Sequence, residues 1–116
     1  MKRRFRLTRS ADFERVRRSG KAYAHPLIVL IAYPSGQESS RFSIVAGRAL
    51  GNAVRRNRAR RLIRAALGRV LSSIEPGWDI VIFARQRLLE SIFQDIQDAL
   101  GIVLARAGLL RKTDDL

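Results

Sequence analysis

The chain has 116 residues, of which 47% are hydrophobic and 28% charged, and its 23 lysine and arginine residues against ten acidic residues give a net charge of +13. We expect one soluble domain with a single core, because no apolar run approaches the roughly 18 residues that a membrane span requires. The sequence has no cysteine, which excludes disulfides and thiolate metal sites, and no apolar segment follows the basic start as in a secretory signal, so we expect a cytoplasmic protein.

The N-terminal part of the chain predicts a short helix. Ser10 is a suitable N-cap, the acidic residues Asp12 and Glu14 lie in the first turn, and Gly20 can end the helix. We therefore expect a helix from Ala11 to Ser19.

Three extended segments follow this helix. Pro26 separates a short first strand from the apolar run 27–33, which is typical of a central strand that is covered on both faces. A loop rich in proline, glycine and serine spans residues 34–40. Residues 41–46 largely alternate between two faces, which predicts a third strand paired antiparallel with the second.

The middle of the chain predicts a long helix with one apolar and one basic face. Asn52 is a good N-cap, and the helical pattern continues to about Ser72. The residues of the apolar arc are Ala59, Leu62, Ile63, Ala66, Leu67, Val70 and Ile74. The 17 residues from Gly51 to Leu67 also include six arginines.

The positions of these arginines are not explained by the stability of the helix. Opposite the apolar arc, or on its flank, lie Asn57, Arg58, Arg60, Arg61 and Arg64. Arg55 and Arg56 occupy the first turn, where they can project past the core and where positive charge costs roughly a few tenths of a kcal/mol or more. An anionic ligand at the first turn explains this arrangement better.

The C-terminal part predicts a strand and a final helix. Residues 79–84 contain a short apolar run that suits a buried strand, and residues 88–108 are amphipathic, with Gly108 near the helix end. The predicted inward face consists of Ile92, Phe93, Ile96, Leu100 and Val103. We expect residues 1–110 to form a single domain and residues 111–116 to form a disordered tail.

Positive charge is concentrated in residues 1–69, which hold 18 basic and three acidic residues, whereas residues 70–116 hold five basic and seven acidic residues. Twenty of the 23 cations are arginine, whose planar fork suits phosphate contacts and base stacking. Charge of one sign at this density repels itself unless a polyanion binds, so nucleic acid explains it better than solubility alone. An anionic membrane is a weaker alternative, because basic membrane helices carry a large apolar outer face.

The sequence offers little material for an active site. His25 is the only histidine, and at a strand break a structural or surface role is more common than that of a base. Asp95 and Asp98 lie on the outer face of an ordinary amphipathic helix, so we interpret them as solvated charge. The basic half has three carboxylates, which are too few for a two-metal nuclease. Its glycines do not form a phosphate-binding P-loop, because the Gly-Lys-Ser/Thr sequence that ends this motif is missing. These features predict a protein that binds RNA or DNA without chemistry of its own.

One stretch carries a specific resemblance. The sequence GNAVRRNRARRLIR, residues 51–64, resembles the signature of the bacterial ribonuclease P protein subunit, GNAVxRNRx(K/R)RLIR, at every fixed position. Two flanking segments are also similar to that family: LTRSADFERVRRSGK near the N-terminus, and DIVIFAR, which ends at Arg85. The similarity covers roughly residues 7–106.

The resemblance implies a fold and a division of labour. The fold is α+β, an α-β-β-β-α-β-α two-layer sandwich with a mostly antiparallel four-stranded sheet and a left-handed βαβ crossover, which the glycines Gly47 and Gly51 would allow. In this family the RNA subunit holds the catalytic Mg²⁺ ions and cleaves precursor tRNA, while the protein binds that RNA and the 5′ leader of the precursor. We therefore expect ribonuclease P RNA and precursor tRNA as partners, no membrane or obligate protein partner, and no cofactor bound firmly by this single RNA-binding domain.

The resemblance also assigns roles to individual residues. Contacts with the catalytic RNA and the substrate are implied for Arg48, Asn52, Arg55, Arg56, Asn57, Arg58, Arg60, Arg61 and Arg64. Phe13 and Arg17 are implied to bind the leader in a cleft between the first helix and the sheet, where aromatic residues stack on unpaired bases. Phe13 also shares a helix face with Val16, so core packing is its alternative role.

The chain departs from the family pattern at several positions. Arg17 stands where a second aromatic residue is common, and Leu27 and Leu30 stand where the central strand is often aromatic, which predicts that leader binding relies less on stacking. The family has two neighbouring basic residues before the glycine turn, whereas this chain has Arg48 followed by Ala49.

Two other functions are compatible with the charge. A ribosomal or other structural RNA-binding protein would share the basic composition, and an autonomous nuclease would need a carboxylate cluster that the basic half lacks. Neither function predicts the motif at residues 51–64.

Overall fold

The computed structural model describes residues 2–111. Three helices and four strands follow in the predicted order: α1 (Ser10–Ser19), β1 (Lys21–Ala24), β2 (Ile28–Pro34), β3 (Arg41–Val45), α2 (Ala53–Val70), β4 (Trp78–Ala84) and α3 (Phe93–Arg106). Short 3-10 helices lie at Arg3–Phe5, Arg48–Leu50, Leu71–Ser73 and Gln86–Glu90. The predicted disordered tail falls outside the described residues apart from Arg111, whose N–H donates to the Ser73 carbonyl oxygen (2.7 Å).

The four strands form one mixed sheet in the order β1-β2-β4-β3. β2 pairs antiparallel with β1 and with β4, and β3 pairs parallel with β4. The predicted antiparallel pairing of the second strand with the third is therefore wrong. β4 lies between them because residues 79–82 are buried on both of its faces, whereas β3 buries only Phe42 and forms an edge.

The edge strand β3 is connected to β4 through α2, as the resemblance implies, and the hand of this crossover stays a prediction. The outer side of β3 is partly occupied by the chain that precedes α1. The Leu7 N–H donates to the Phe42 carbonyl oxygen (2.7 Å), and Arg6 forms a parallel bridge with Phe42. Residues 6 and 7 therefore run along this edge.

The main core lies between one face of the sheet and the helices α2 and α3. Alternate strand residues point to this side, among them Leu30, Phe42 and Ile82. The buried helix residues are Ala59, Ile63, Ala66, Leu67, Ile96, Ala99, Leu100, Val103 and Leu104. These contacts confirm most of the predicted core faces and form the two layers of the expected sandwich. Within residues 2–111, none of the helices combines the length and apolar character needed to cross a bilayer.

α1 packs against the opposite face of the sheet, over a smaller cluster. The buried residues of this cluster are Leu7, Val16 and Val81. Gly20 ends the helix because a side chain has no room there: a Cβ would lie 2.5 Å from the Val16 carbonyl oxygen and 2.7 Å from Ile31 Cγ2. Glycine thus allows α1 to turn directly into β1 while lying close to β2.

The entry into α2 uses a cap and a glycine. Asn52 caps the helix as predicted, since its Oδ1 accepts the Arg55 N–H at 3.0 Å. Gly51 has a φ of 119°, a conformation that favours glycine, whereas Gly47 has an ordinary φ of −78°. The predicted need for glycine freedom therefore applies to Gly51 alone.

Two predicted features of the other helices are wrong. Ser10 does not cap α1 but is its first residue, and Arg9, which precedes it, makes no capping bond through its side chain. Ile92 does not face inward: it is 67% exposed because it precedes the first turn of α3 in an extended conformation. The C-terminal signal is confirmed, since Gly108 has a φ of 72° just after α3.

Candidate nucleic-acid interface

The side of α2 that points away from the core is a basic surface. We call it the arginine surface, and it consists of Asn57, Arg58, Arg60, Arg61 and Arg64. Arg58 and Arg61 are exposed, and Arg60 and Arg64 are partly exposed. None of the ion pairs found in residues 2–111 involves an arginine of α2. The charge of this surface is therefore not compensated by an acidic side chain of that part of the chain.

Arg55 and Arg56 differ from these neighbours because they bind the protein's own backbone. Arg55 Nε donates to the Leu50 carbonyl oxygen (2.7 Å), and Arg56 Nε donates to the Ala46 carbonyl oxygen (3.0 Å). The sequence predicted that both would project past the core toward an anion. One nitrogen of each ties the start of α2 to the segment that leads into it, and the other guanidinium nitrogens are not part of these two bonds, so the contact with an anion stays a prediction.

Asn57 and Arg64 have specific surroundings within the arginine surface. The Asn57 Oδ1 accepts a hydrogen bond from Arg60 Nη2 (2.7 Å), so Asn57 still offers a ligand its two amide N–H donors. Arg64 Nε is buried and has no hydrogen-bond partner among residues 2–111. Arg64 lines a cavity of about 170 Å³ together with Arg6 and Ser43, at the outer edge of β3.

The sheet face that carries α1 is only partly covered. Val29, Phe83 and Val45 lie abreast on β2, β4 and β3, with Phe83 in register with both valines, and all three are partly exposed. Phe13 of α1 is also partly buried and packs in the same cluster. We call these four residues the open sheet face. They carry no charge, and their two aromatic rings suit stacking on a planar group.

The position of this face corrects the interpretation of Leu27 and Leu30. Both are buried in the main core, on the side of the sheet away from α1, so an aromatic ring at either position would not reach a cleft beside α1. Phe83 was not predicted as a site residue, because residues 79–84 were interpreted as uniformly buried. The signal was present, since side chains alternate along a strand and Phe83 follows the core residue Ile82.

Arg17, the other predicted leader contact, lies on the exposed side of α1. Its Nε and Nη2 donate to the two carboxylate oxygens of Glu14, at 3.1 and 3.4 Å. This hydrogen bonding lowers the pKa of Glu14 and raises the pKa of Arg17. The ion pair partly compensates the charge that Arg17 offers to a phosphate.

A partly buried arginine joins α1 to the sheet. Arg41 Nε and Nη2 donate to the two carboxylate oxygens of Asp79, at 2.9 and 2.8 Å, and Arg41 Nη1 lies 3.4 Å from a carboxylate oxygen of Asp12. Asp79 is 1% exposed and lies opposite Arg41 in the register of β3 and β4. Hydrogen bonding to Asp79 raises the pKa of Arg41. We call Asp12, Arg41 and Asp79 the ionic bridge.

A cavity of about 730 Å³ lies where β1 and β4 end and β2 begins, near the segment that leads into α2. Arg85 and Arg87 line it, and Gln86 Nε2 donates to the Ala49 carbonyl oxygen (2.7 Å), which joins its two sides. The predicted contact Arg48 is exposed in the short 3-10 helix beside Ala49. Cationic side chains thus continue from α2 to the end of β4.

The remaining candidates for chemistry have ordinary surroundings. His25 Nδ1 accepts the Leu27 N–H (3.1 Å), which favours the structural role. Asp95 and Asp98 are exposed on α3 as predicted. Within the described range, no group of three His, Asp or Glu side chains is arranged to hold a metal ion.

Comparisons with known proteins agree over nearly the whole chain. Residues 1–108 match the family model for ribonuclease P. The ribonuclease P protein component of Roseiflexus sp. is 40% identical over 115 residues, which cover 98% of this chain and 94% of that protein. The ribonuclease P protein component of Herpetosiphon aurantiacus is 38% identical over 109 residues, which cover 94% and 89% of the two chains.

Solved structures show the same fold. The RNase P protein of Staphylococcus aureus matches with a TM-score of 0.83 and 30% identity, over 92% of this chain and 98% of that one. The RNase P protein of Thermotoga maritima matches with a TM-score of 0.79 and 31% identity, over 87% of this chain and 96% of that one.

Proposed function

The chain belongs to the ribonuclease P protein family, and on that premise we propose how it works as the protein subunit of ribonuclease P. The arginine surface binds the catalytic RNA, and the open sheet face binds the 5′ leader of precursor tRNA. The observation that carries this proposal is that the two surfaces adjoin. Val45 of the open sheet face is followed by Ala46, whose carbonyl oxygen accepts the bond from Arg56, the residue directly before the arginine surface, and Arg64 of that surface lines a cavity with Ser43 of β3.

The charge of the arginine surface supports its assignment to the catalytic RNA. Its guanidinium groups have no acidic partner among residues 2–111, so each is available to neutralise a phosphate and release its counterions. Arg55 and Arg56 support the same contact indirectly, because their bonds to Leu50 and Ala46 fix the start of the helix.

The shape and composition of the open sheet face support its assignment to the leader. A single-stranded leader has unpaired bases, and such bases bind to aromatic side chains flanked by cations. Phe13 and Phe83 supply the rings, while Arg17 and Arg85 lie on α1 and just beyond β4 as cations for the leader backbone. Stacking therefore uses Phe83 on β4 rather than an aromatic residue at Leu27 or Leu30.

We assign the cleavage itself to the RNA subunit and its Mg²⁺ ions, and to the protein the binding of both RNAs. On the α1 side of the sheet, Asp12 and Asp79 are already engaged by Arg41. This supports a role in binding rather than in proton transfer or metal chemistry.

Cleavage of precursor tRNA by a ribonuclease P RNA at low Mg²⁺, with and without the protein, tests the subunit role. We expect the protein to increase cleavage and to show no nuclease activity when free of RNA. Activity of rigorously RNA-free protein that disappears on mutation of one of its carboxylates would contradict the proposal. Tight binding to ribosomal RNA without any effect on this cleavage would favour a structural RNA-binding protein instead.

Phe13→Ala tests the leader site separately. Loss of one base-aromatic stack should cost about 1 to 3 kcal/mol of affinity for precursor tRNA, with mature tRNA and the catalytic RNA bound as before. A melting temperature far below that of the parent, or an equal loss for leader-bearing and leaderless tRNA, would identify Phe13 as a packing residue.

A further inference from the structure

α1 packs over a smaller apolar cluster than α2 and α3 do. The cluster beneath this ten-residue helix contains three buried residues and five partly buried ones, whereas the main core on the other face contains 22 buried and 11 partly buried residues. Apolar contacts are not directional, so a cluster of this size defines the rotation and the sliding position of the helix only weakly.

The ionic bridge provides a directional contact that fixes the rotation and position of α1 on the sheet. The two parallel hydrogen bonds from Arg41 to Asp79, at 2.9 and 2.8 Å, fix the plane of the guanidinium group on the sheet. The third nitrogen, Nη1, then points to Asp12 at 3.4 Å, and the Asp12 side chain is only 13% exposed. A fixed cation on the sheet therefore meets a fixed anion in the first turn of α1.

We propose that the ionic bridge positions α1, and with it Phe13, against the open sheet face, so that leader binding depends on Asp12 and Arg41. This inference rests on the proposed function of that face. Asp12 directly precedes Phe13, so a rotation or shift of the first turn displaces the aromatic ring by a similar amount. Asp12, Arg41 and Asp79 are positioning residues, since no contact with the RNA is required of them.

The energetics of buried ion pairs favour this role over a purely stabilising one. Removing two charges from water costs about as much as their attraction returns, so a buried pair contributes little to stability compared with well-packed apolar residues. The bidentate pair with Asp79, however, holds the Arg41 guanidinium in one orientation on the sheet, and this fixes the place where its Nη1 meets Asp12 of α1. The bridge is therefore expected to determine where α1 lies more than how firmly the domain folds.

The test is Asp12→Asn in the assembled holoenzyme. This change removes the charged link from α1 to Arg41 and leaves the pair of Arg41 with the buried Asp79 intact. We expect affinity for precursor tRNA with a leader of several nucleotides to fall about fivefold or more, the loss of one base stack, while affinities for mature tRNA and the catalytic RNA stay unchanged.

Electrostatics alone would produce the opposite result. Asp12→Asn makes the protein more positive by one charge, which on its own strengthens binding to any RNA. Glu14→Gln is the matched control, because it makes the same charge change on the same helix and releases only the exposed Arg17. We expect Glu14→Gln to leave leader binding unchanged or to strengthen it. Arg15→Gln, which removes the exposed partner of Asp12 at 3.2 Å, should weaken binding to leader-bearing and leaderless tRNA equally, because it removes one positive charge and leaves the Asp12–Arg41 contact in place.

Each result decides between specific alternatives. If Phe13→Ala weakens leader binding and Asp12→Asn does not, the inference is wrong and the proposed leader site stands. If neither does, the leader site itself is wrong. An equal loss for leader-bearing and leaderless tRNA would give the bridge a structural role only. If Asp12→Asn fails to fold, Arg41→Lys is the deciding variant, because lysine keeps the charge but cannot make the bidentate bond to Asp79. A loss of affinity confined to leader-bearing tRNA then supports the inference, and an unchanged affinity for it overturns the inference.

Discussion

The arginine surface and the open sheet face are neighbours, but they are built in different ways. The arginine surface comes from residues 57–64 of one helix, is charged and exposed, and requires only the helical period to bring its members together. The open sheet face takes four uncharged residues from α1, β2, β3 and β4, and it exists only because those strands pair in one register. A surface made by one helix can be identified from a local pattern, whereas a surface made by strand pairing requires the topology.

The largest expected effect comes from removing charge from the arginine surface. Arg60→Ala combined with Arg61→Ala should weaken binding to the catalytic RNA by about 3 kcal/mol, since each charge-assisted hydrogen bond that is removed contributes roughly 1.5 kcal/mol or more. The slope of log affinity against log salt should fall in magnitude by roughly 0.7 to 0.9 for each phosphate that the protein no longer neutralises. Filter binding over a salt series measures both quantities.

The control for this variant removes the same charge elsewhere. Arg69→Ala combined with Arg111→Ala changes two exposed arginines outside the arginine surface. An equal effect of the two double variants would mean that total charge, rather than this surface, governs binding.

The next effect concerns the open sheet face and should not depend on salt in the same way. Phe83→Ala should cost about 2 kcal/mol of affinity for leader-bearing precursor tRNA, because one base loses its stacking partner, with an unchanged salt slope for the catalytic RNA. Phe93→Ala removes a partly buried ring on α3 and serves as the control. Leader binding that survives the loss of Phe83 would confine stacking to Phe13.

The same contrast explains how much of the molecule could be predicted. The order of elements, the core residues of α2 and the cap Asn52 follow from spacing along a single helix or strand, and all are confirmed. The pairing of β2 with β4 rather than β3 could not be predicted from local alternation, because it depends on which strand is buried on both faces. Phe83 differs, because the alternation of side chains along β4 already indicated that it faces away from the core residue Ile82.

The ionic bridge was also beyond the reach of local patterns, since Arg41 and Asp79 are 38 residues apart. Its residues carry charges that look like solvated surface in the sequence, and only the register of β3 and β4 brings them together. The sequence likewise predicted only part of what Arg55 and Arg56 do. Their place in the first turn was predicted, but their backbone acceptors Leu50 and Ala46 were not.

The smallest effect should come from a change at Gly51, in the segment that connects β3 of the open sheet face to α2 of the arginine surface. Gly51→Ala places a side chain where φ is 119° and where a Cβ would lie 2.8 Å from Arg55 Cδ, so it should cost about 1 kcal/mol of stability and displace the Arg55 side chain. Denaturant unfolding measures the stability. A modest loss of affinity for the catalytic RNA with normal leader binding would show that Gly51 and Arg55 support the arginine surface and not the open sheet face.

Residues 6 and 7, which run along the outer edge of β3, have a consequence for how the protein behaves in concentrated solution. An uncovered edge strand offers unpaired N–H and C=O groups to any other extended chain, and this is a common route to aggregation. The bond from Leu7 to Phe42 occupies part of that edge. Removing residues up to and including Leu7 would therefore leave α2 intact while making the protein prone to associate with copies of itself through exposed β3.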